Sequence, residues 1–206
     1  MKRTFIMMMI CALAGLSAAT EAQIQVSAGP GAGFGYAIHK DRGNDPPARF
    51  GLLATSQIDM QFSRRFSLLV WLDFYNSMST GKVREEDLYN GKSGYRATLS
   101  YLHLSPTLKY CLPGSPFYVF AGPGAGFRTY GKVKTGNRGF GTTENVPGIK
   151  VRCDARFGAG YDLFLSRKLT LSPFAAFNAG LNSVLPGSDW RIHALQAGVV
   201  LRYGAF

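Results

Sequence analysis

The sequence predicts an all-β protein, an eight-stranded antiparallel up-and-down transmembrane β-barrel with short periplasmic turns and longer extracellular loops. Three observations predict this fold. The chain opens with the features of an export signal, apolar and polar residues then alternate with a period of two in eight segments, and short and long connections alternate between those segments. An even number of strands joined in this way is typical of bacterial outer-membrane barrels.

The N-terminal residues have the order of a secretory signal peptide. Lys2 and Arg3 supply positive charge, residues 5–16 form an apolar run too short to span a bilayer as a helix, and small residues follow. We expect cleavage after Ala22, with cleavage after Ala19 as the alternative. The predicted division is a signal peptide over residues 1–22 and an outer-membrane β-barrel over residues 23–206.

The mature chain is strongly basic. The full sequence has 23 Lys and Arg and 12 Asp and Glu, and removal of Lys2, Arg3 and Glu21 leaves 21 basic and 11 acidic residues, a net charge of +10. Such a charge favours anionic neighbours. For an exported protein, these neighbours are expected to be membrane phosphates rather than nucleic acid.

The alternation is strictest in residues 151–163, where Val, Cys, Ala, Phe, Ala, Tyr and Leu alternate with Arg, Asp, Arg, Gly, Gly and Asp. Successive side chains of a strand point to opposite faces, so one face of this segment is apolar and the other is polar or bare. The pattern therefore predicts a β-strand with one face in an apolar environment and the other in a polar one. The eight predicted strands are residues 24–38, 50–62, 66–75, 102–110, 117–129, 151–163, 169–181 and 193–203.

The connections between these strands alternate in length. Short turns at one end and long loops at the other are typical of outer-membrane barrels, and they place both termini at the short-turn, periplasmic end. The predicted short turns are residues 63–65, 111–116 and 165–168, and the predicted long loops are residues 39–48, 76–94, 131–149 and 182–190.

The apolar face of the strands is expected to point outward to lipid. A soluble barrel would bury that face and leave rows of glycine in water, whereas a membrane barrel fills a narrow lumen with its Gly, Asp and Arg residues. Aromatic residues near both ends of the apolar faces predict girdles at the two membrane interfaces. They are Phe62, Phe66, Tyr110, Phe117 and Tyr161 towards the turns, and Tyr36, Phe50, Phe74 and Phe127 towards the loops.

The stretch "AGPGAGF" occurs twice, at residues 28–34 and 121–127. It does not fit a nucleotide-binding loop, because Phe34 and Phe127 stand where GxGxxG requires its third glycine and neither copy leads into a helix. Its glycines share one strand face, so we expect them to point inward, to allow tight curvature and to leave room for bulky lumen residues. The aromatic residues expected in the lumen are Trp71, Tyr75, Tyr118, Phe120 and Phe174.

Three segments carry a resemblance to a known family: "YLHLSPTLKYCLPGSPFYVFAGPGAGF" (101–127), "ARFGAGYDLFLSRKLTLSPFAAFNAGL" (155–181) and "LQAGVVLRYGAF" (195–206). The chain resembles the PorT-like outer-membrane β-barrel domain family of Bacteroidetes-type bacteria. The resemblance implies an eight-stranded barrel, and some members are tied to protein secretion or cell-envelope upkeep. It carries no catalytic residue onto this chain. One departure is Tyr203, which is fourth from the end where the family usually has an aromatic third from the end.

Charged residues collect on the predicted lumen face. They could line an ion path, but we expect them to pair with one another, since eight strands leave an interior only wide enough for side chains. Three arginines of the set, at 152, 156 and 202, are expected to pair with its aspartates. The set is Asp59, Asp73, Lys109, Arg128, Arg152, Asp154, Arg156, Asp162 and Arg202.

His103 and Ser105 share a strand face in "HLS" and come nearest to a catalytic pair. A nucleophile and its base need a third, orienting acid. Glu85, Glu86 and Glu144 lie in predicted loops, and no Asp stands near the pair in sequence. We therefore expect a hydrogen bond in the lumen, and we predict no catalytic, cofactor-binding or metal-binding residue and no enzyme activity.

Two cysteines remain after removal of the signal peptide, which is too few for a disulfide scaffold. Cys111 lies at a predicted periplasmic turn and Cys153 near the outer end of the sixth predicted strand. We expect them to be too far apart to form a disulfide bond.

The predicted loop over residues 131–149 is basic. It carries Lys132, Lys134 and Arg138 against Glu144 alone. Two interpretations stay open: the loop binds lipopolysaccharide phosphates, or it has no ligand.

These features favour an outer-membrane barrel with a structural, assembly or secretion-accessory, or envelope-interaction role. The alternatives are a barrel that transports small solutes or hydrophobic compounds and, less favoured, a lipid-modifying barrel enzyme. The expected partners are outer-membrane lipid and lipopolysaccharide, the barrel-assembly machinery, and envelope or secretion proteins; nucleic acid is not among them.

Overall fold

The part of the chain described by the computed structural model consists of strands and turns. No helix in it is long and apolar enough to cross a membrane. The predicted signal peptide lies outside the described residues, and so do Glu85, Glu86, Arg138 and the C-terminal Phe206. The described residues are 24–40, 47–80, 88–89, 92–93, 96–135, 142–145, 151–184 and 189–204.

Twelve strands occur in the described residues, and eight of them are long. The long strands are β1 (Gln25–Lys40), β2 (Arg49–Gln61), β3 (Phe66–Ser77), β6 (Arg96–Cys111), β7 (Phe117–Thr135), β9 (Val151–Tyr161), β11 (Leu169–Gly180) and β12 (Arg191–Gly204). The short strands are β4 (Leu88–Tyr89), β5 (Lys92–Ser93), β8 (Thr142–Asn145) and β10 (Leu163–Phe164).

The long strands close into an eight-stranded antiparallel barrel, as the sequence predicts. Each pairs with the long strand before it and the long strand after it, and β12 returns to pair with β1. Phe34 of β1, for example, lies opposite Leu52 of β2 on one side and Ala197 of β12 on the other. Closure removes the free edges from the ring of eight long strands, so most backbone groups of these strands pair within the barrel.

Short turns join β2 to β3, β6 to β7 and β10 to β11, close to the three predicted positions. In the first, the backbone N–H groups of Phe62 and Ser63 both donate to the carbonyl oxygen of Phe66. In the second, Gly114 has a φ of 68°, a left-handed conformation that favours glycine. These three turns lie at one end of the barrel, here called the turn end, and the opposite end is the loop end.

Two strands extend further than the alternation predicts, and this corrects the interpretation of the basic loop. Strand β6 begins at Arg96, ahead of the predicted Leu102, and β7 continues to Thr135. Their ends pair with each other, and β8 then pairs with the end of β7. Lys132 and Lys134 therefore lie on a strand of the sheet, not in a loop.

A β-bulge in β3 corrects the prediction for Tyr75. Asp73 pairs with His103 of β6, and the next pair along the ladder is Asn76 with Tyr101. Two residues of β3 therefore stand against one residue of β6, so β3 has one extra residue here. The extra residue shifts the alternation by one position. Asp73 and Asn76 consequently point inward, and Tyr75 points outward with 45% of its surface exposed.

The outer surface of the barrel is apolar, as predicted. Phe34, Phe50 and Tyr203 are each more than 60% exposed. Aromatic pairs stand near both ends of this surface, with ring centroids within the roughly 4.5–7 Å that is typical of favourable aromatic contacts. They are Tyr36–Phe50 (4.8 Å) at the loop end, and Phe66–Tyr110 (5.2 Å) and Phe117–Tyr161 (4.7 Å) at the turn end.

The two copies of "AGPGAGF" have different neighbours. In the first copy, a Cβ on Gly29 or Gly33 would collide with the backbone of β12, so these glycines permit close approach of two strands. In the second copy, a Cβ on Gly124 would collide with the side chains of His103 and Asp154. The expectation that glycines leave room for lumen side chains is confirmed for the second copy, and also for Gly160, which lies beneath the ring of Tyr118.

Candidate functional site

In the described part of the chain, three successive groups of side chains fill the lumen between the turn end and a further buried apolar cluster at the loop end, which includes Met78, Tyr101 and Trp190. The turn-side cluster consists of Asp59, Lys109, Asp162 and Arg202. The aromatic plug consists of Trp71, Tyr118, Phe120 and Phe174. The loop-side cluster consists of Asp73, His103, Arg152, Asp154 and Arg156.

The turn-side cluster pairs two cations with two carboxylates. Lys109 Nζ donates to Asp59 Oδ2 at 2.8 Å and to Asp162 Oδ2 at 2.7 Å. Arg202 donates to both of the same carboxylates and also to the hydroxyl of Ser172, at 2.9 Å. All four charged side chains are at least nine-tenths buried, and their charges cancel. The cluster therefore cross-links strands from several parts of the barrel wall.

The loop-side cluster is still more deeply buried. Arg156 Nη1 lies 3.0 Å from Asp73 Oδ2, and Arg152 Nη1 lies 3.0 Å from Asp154 Oδ2. His103 lies between the two carboxylates, with Nε2 2.9 Å from Asp154 Oδ2 and Nδ1 3.4 Å from Asp73 Oδ2. Arg202 pairs with aspartates in the turn-side cluster. The prediction that Arg152, Arg156 and Arg202 pair with aspartates is therefore confirmed.

Ser105, His103 and Asp154 form a hydrogen-bonded chain that sequence reasoning missed. Ser105 Oγ lies 3.2 Å from His103 Nδ1, and Asp154 accepts at the other ring nitrogen. The acid stands 51 positions from the histidine, which is why proximity in sequence gave no signal. All three side chains are essentially unexposed. This hydrogen-bonded arrangement therefore leaves no open space beside the Ser105 hydroxyl for a reacting substrate atom.

The glycine between these residues explains how they meet. Strand β7 lies between β6, which carries His103, and β9, which carries Asp154. On β7, Gly126 is paired with His103 and Gly124 is paired with Asp154. Because Gly124 has no side chain, the two groups reach each other across the inner face of the intervening strand. The second "AGPGAGF" thus positions the centre of the loop-side cluster.

The aromatic plug fills the space between the two charged clusters. The ring centroid of Trp71 lies 4.6 Å from that of Phe174 and 5.2 Å from that of Phe120. At one side of the plug Lys109 Nζ stands 4.3 Å from the centroid of Tyr118. At the other side Arg156 stands over Trp71. Each charged cluster is therefore joined to the plug by a cation–π contact.

A recess of about 490 Å³ opens at the turn end and stops at the turn-side cluster. Arg64, Arg65 and the half-buried Cys111 line it together with residues of the β6–β7 turn. Cys153 is exposed on the outer surface near the loop end, opposite Ala125 of β7. Both thiols are free, and the two cysteines lie towards opposite ends of the barrel, as predicted.

The other histidines lie apart from the loop-side cluster. His39 Nδ1 accepts a hydrogen bond from Trp190 Nε1 at 3.2 Å, and His193 stacks on Phe177 with centroids 6.0 Å apart. Within the described residues, no group of three or more His, Cys, Asp or Glu side chains could hold a metal ion. Arg128, predicted to face the lumen, is half-buried and lies opposite Tyr101.

Comparisons with solved structures give similar barrels at low sequence identity. Ail, the attachment invasion locus protein of Yersinia pestis, is 13% identical over 86% of this chain and 99% of its own, with a TM-score of 0.47. Neisserial surface protein A is 8% identical over 86% and 96%, with a TM-score of 0.44. The N-terminal β-barrel domain of Pseudomonas aeruginosa OprF is 13% identical over 88% and 99%, with a TM-score of 0.38.

Identities this low carry no information on activity, and the fold assignment rests on the strand pairing of the chain itself. No family model matches the chain, and no curated protein is significantly similar to it. The resemblance to PorT-like barrels therefore stays a prediction.

Proposed function

We propose that this chain is an integral outer-membrane barrel that acts as a closed envelope scaffold rather than as a channel or an enzyme. The observation that carries the proposal is the inverted polarity of the barrel. Phe50 is 73% exposed on the outside, whereas Asp73 and Arg156 are 0% exposed inside. A protein in water buries apolar side chains and solvates charges, so this arrangement suits a hydrocarbon surrounding.

The extent of the exposed apolar surface around the barrel supports the same proposal. Each square ångström of apolar area removed from water contributes roughly 25 cal/mol, and soluble monomers rarely expose patches beyond a few hundred square ångströms. Here large exposed apolar residues occur on seven of the eight long strands, for example Phe34 on β1, Leu52 on β2, Leu104 on β6 and Leu195 on β12, and the outward apolar residues of β11 are half-buried apart from the exposed Ala175. Lipid contact around the whole circumference accounts for this surface.

The filled lumen supports a scaffold role in particular. Two clusters of paired charges and an aromatic plug lie between the two ends, so the barrel offers its outer surface, its loops and its turn-end recess to other molecules. A structural, assembly or secretion-accessory, or envelope-interaction role fits such a protein. We expect the barrel-assembly machinery to be its partner during insertion.

Cell fractionation combined with a gel-mobility assay tests the proposal. The protein should be recovered in purified outer membranes, and boiling should change its mobility as the barrel unfolds. A Val199→Arg variant places a charge on the outer surface near mid-height and should insert poorly, because Arg at the bilayer midplane costs about 2–4 kcal/mol. The matched control, Ser115→Arg in a turn, should insert normally. Recovery of the unmodified protein in the soluble periplasm would contradict the proposal.

A further inference from the structure

We propose that an outer basic patch, formed by Arg96, Lys132 and Lys134, binds the phosphate groups of lipopolysaccharide. The inference rests on the proposed outer-membrane location and identifies a ligand for one face of the barrel. The patch lies at the loop end of β6 and β7, in the extension of the sheet that the alternation did not predict.

The strand register brings the three cations together on the outward face. Arg96 lies directly opposite Lys134, and Lys132 lies opposite Thr98, two positions along the ladder. The intervening Val133 and its partner Ala97 are buried within the barrel. Alternation therefore turns all three cations outward, on the same face of the sheet as the lipid-facing residues below them, and all three are exposed.

The patch begins where the apolar surface ends. Phe127 and Tyr130 are outward and about half exposed, and Lys132 Nζ stands 5.5 Å from the ring centroid of Tyr130. At about 3.3 Å per residue, Lys132 and Lys134 lie about 7 and 13 Å further along the strand than this ring. Aromatic rings of this kind mark the membrane interface, so the lysines stand at the height of lipid headgroups.

The charge on this face is uncompensated among its described neighbours. Like charges directly opposite each other on paired strands are destabilising, and Arg96 and Lys134 are such a pair. On β8, the residues paired with Lys134 and Lys132 are Thr143 and Asn145, which are neutral. Glu144 is paired with the inward-facing Val133 and so belongs to the other face.

A phosphate group carried by a membrane lipid fits this arrangement better than a soluble protein that bears carboxylates, because the patch faces sideways next to the aromatic belt. Its oxygens can accept from the guanidinium and an ammonium group at once, which relieves the repulsion between Arg96 and Lys134. The ligand must also approach from the side, along the outer surface of the barrel and next to the aromatic belt. A phosphorylated glycolipid whose acyl chains lie against that belt meets both requirements.

Binding of lipopolysaccharide to the purified barrel in neutral detergent micelles tests the inference. The test variant combines Arg96→Gln, Lys132→Gln and Lys134→Gln. The matched control combines Arg64→Gln, Arg65→Gln and Lys168→Gln, which removes the same charge from exposed positions at the turn end. Anisotropy of fluorescent lipopolysaccharide measures the affinity, and dephosphorylated lipopolysaccharide is the second probe.

We expect the test variant to bind lipopolysaccharide on the order of 100-fold more weakly, because each cation near an anionic lipid surface contributes roughly fivefold. The control variant should bind as the unmodified protein does, and the difference should shrink at high salt. Dephosphorylated lipopolysaccharide should bind all three proteins equally weakly. Equal affinity of the test variant and the unmodified protein for intact lipopolysaccharide would overturn the inference.

The mobility change on boiling, recorded on the same samples, separates the two proposals. If the protein shows the mobility change but the test variant still binds lipopolysaccharide tightly, only the proposed role of the basic patch is contradicted. A protein that never inserts into membranes or micelles contradicts the proposed function itself.

Discussion

The guanidinium group of Arg156 lies over the indole ring of Trp71, 4.2 Å from its centroid, and donates at the same time to Asp73 at 3.0 Å. One side chain thus joins the loop-side cluster to the aromatic plug. Lys109 makes the equivalent connection at the turn end, between Tyr118 and the carboxylates of Asp59 and Asp162. The lumen is consequently one continuous packed unit, and changes at its joints have measurable consequences.

Substitution of Asp154 by Ala should strongly destabilise the barrel. It leaves Arg152 without its carboxylate and removes the partner of His103 Nε2, and breaking a buried ion pair in this way costs about 3–5 kcal/mol. Urea unfolding in detergent, followed by gel mobility, measures the loss. Ser105→Ala removes only a neutral hydroxyl from the same network and should cost about 1 kcal/mol. Equal stability of the two variants would refute this account of the loop-side cluster.

Gly124→Ala should destabilise the barrel although the added group is a single methyl. Its Cβ would occupy the space in which His103 and Asp154 meet, and overpacking of this kind costs about 1–3 kcal/mol. Gly35→Ala is the matched control, because the nearest atom to its added Cβ is 3.7 Å away, an ordinary contact. The same unfolding assay compares them. A Gly124→Ala protein as stable as the control would show that the close contact across β7 is unimportant.

The unmodified barrel should not conduct ions. Trp71, Phe120 and Phe174 fill the middle of the lumen, and the charged side chains on either side are engaged with one another. Planar-bilayer recordings of the refolded protein should show no steady ohmic current. Trp71→Ala should also be silent, because the paired clusters above and below the new cavity remain. Stable open channels in the unmodified protein would favour the transport alternative instead.

Thiol labelling with a membrane-impermeant maleimide should establish the orientation of the barrel. With Cys153 replaced by Ala, Cys111 at the turn end should react only after the outer membrane is permeabilised. A Thr143→Cys, Cys111→Ala, Cys153→Ala variant carries its thiol on β8 at the loop end and should react in intact cells. Labelling of Cys111 in intact cells would mean that the short turns face outward.

The existence of the eight long strands, the face of most of their residues and their pairing order were predictable from the sequence. The reason is that a period of two is a local property: in residues 151–161, each side chain's face follows from its neighbours along the chain. The lumen location of the charged set followed from the same alternation. So did the choice of arginines that pair with aspartates, since few carboxylates share their face.

The tertiary structure alone decided which groups meet. The bulge in β3 turned Tyr75 outward, because one extra residue in a strand reverses the alternation after it and leaves no signal in composition. Pairing between β6 and β7 placed Lys132 and Lys134 on a strand, where the sequence suggested a loop.

The Ser105–His103–Asp154 chain belongs to the same class of features. Its formation depends on the register of three strands and on the absence of a side chain at Gly124 of the middle one. A local pattern determines which face a residue occupies. Only closure of the barrel determines what lies opposite that residue across the lumen, because those partners come from distant strands brought together by the whole ring.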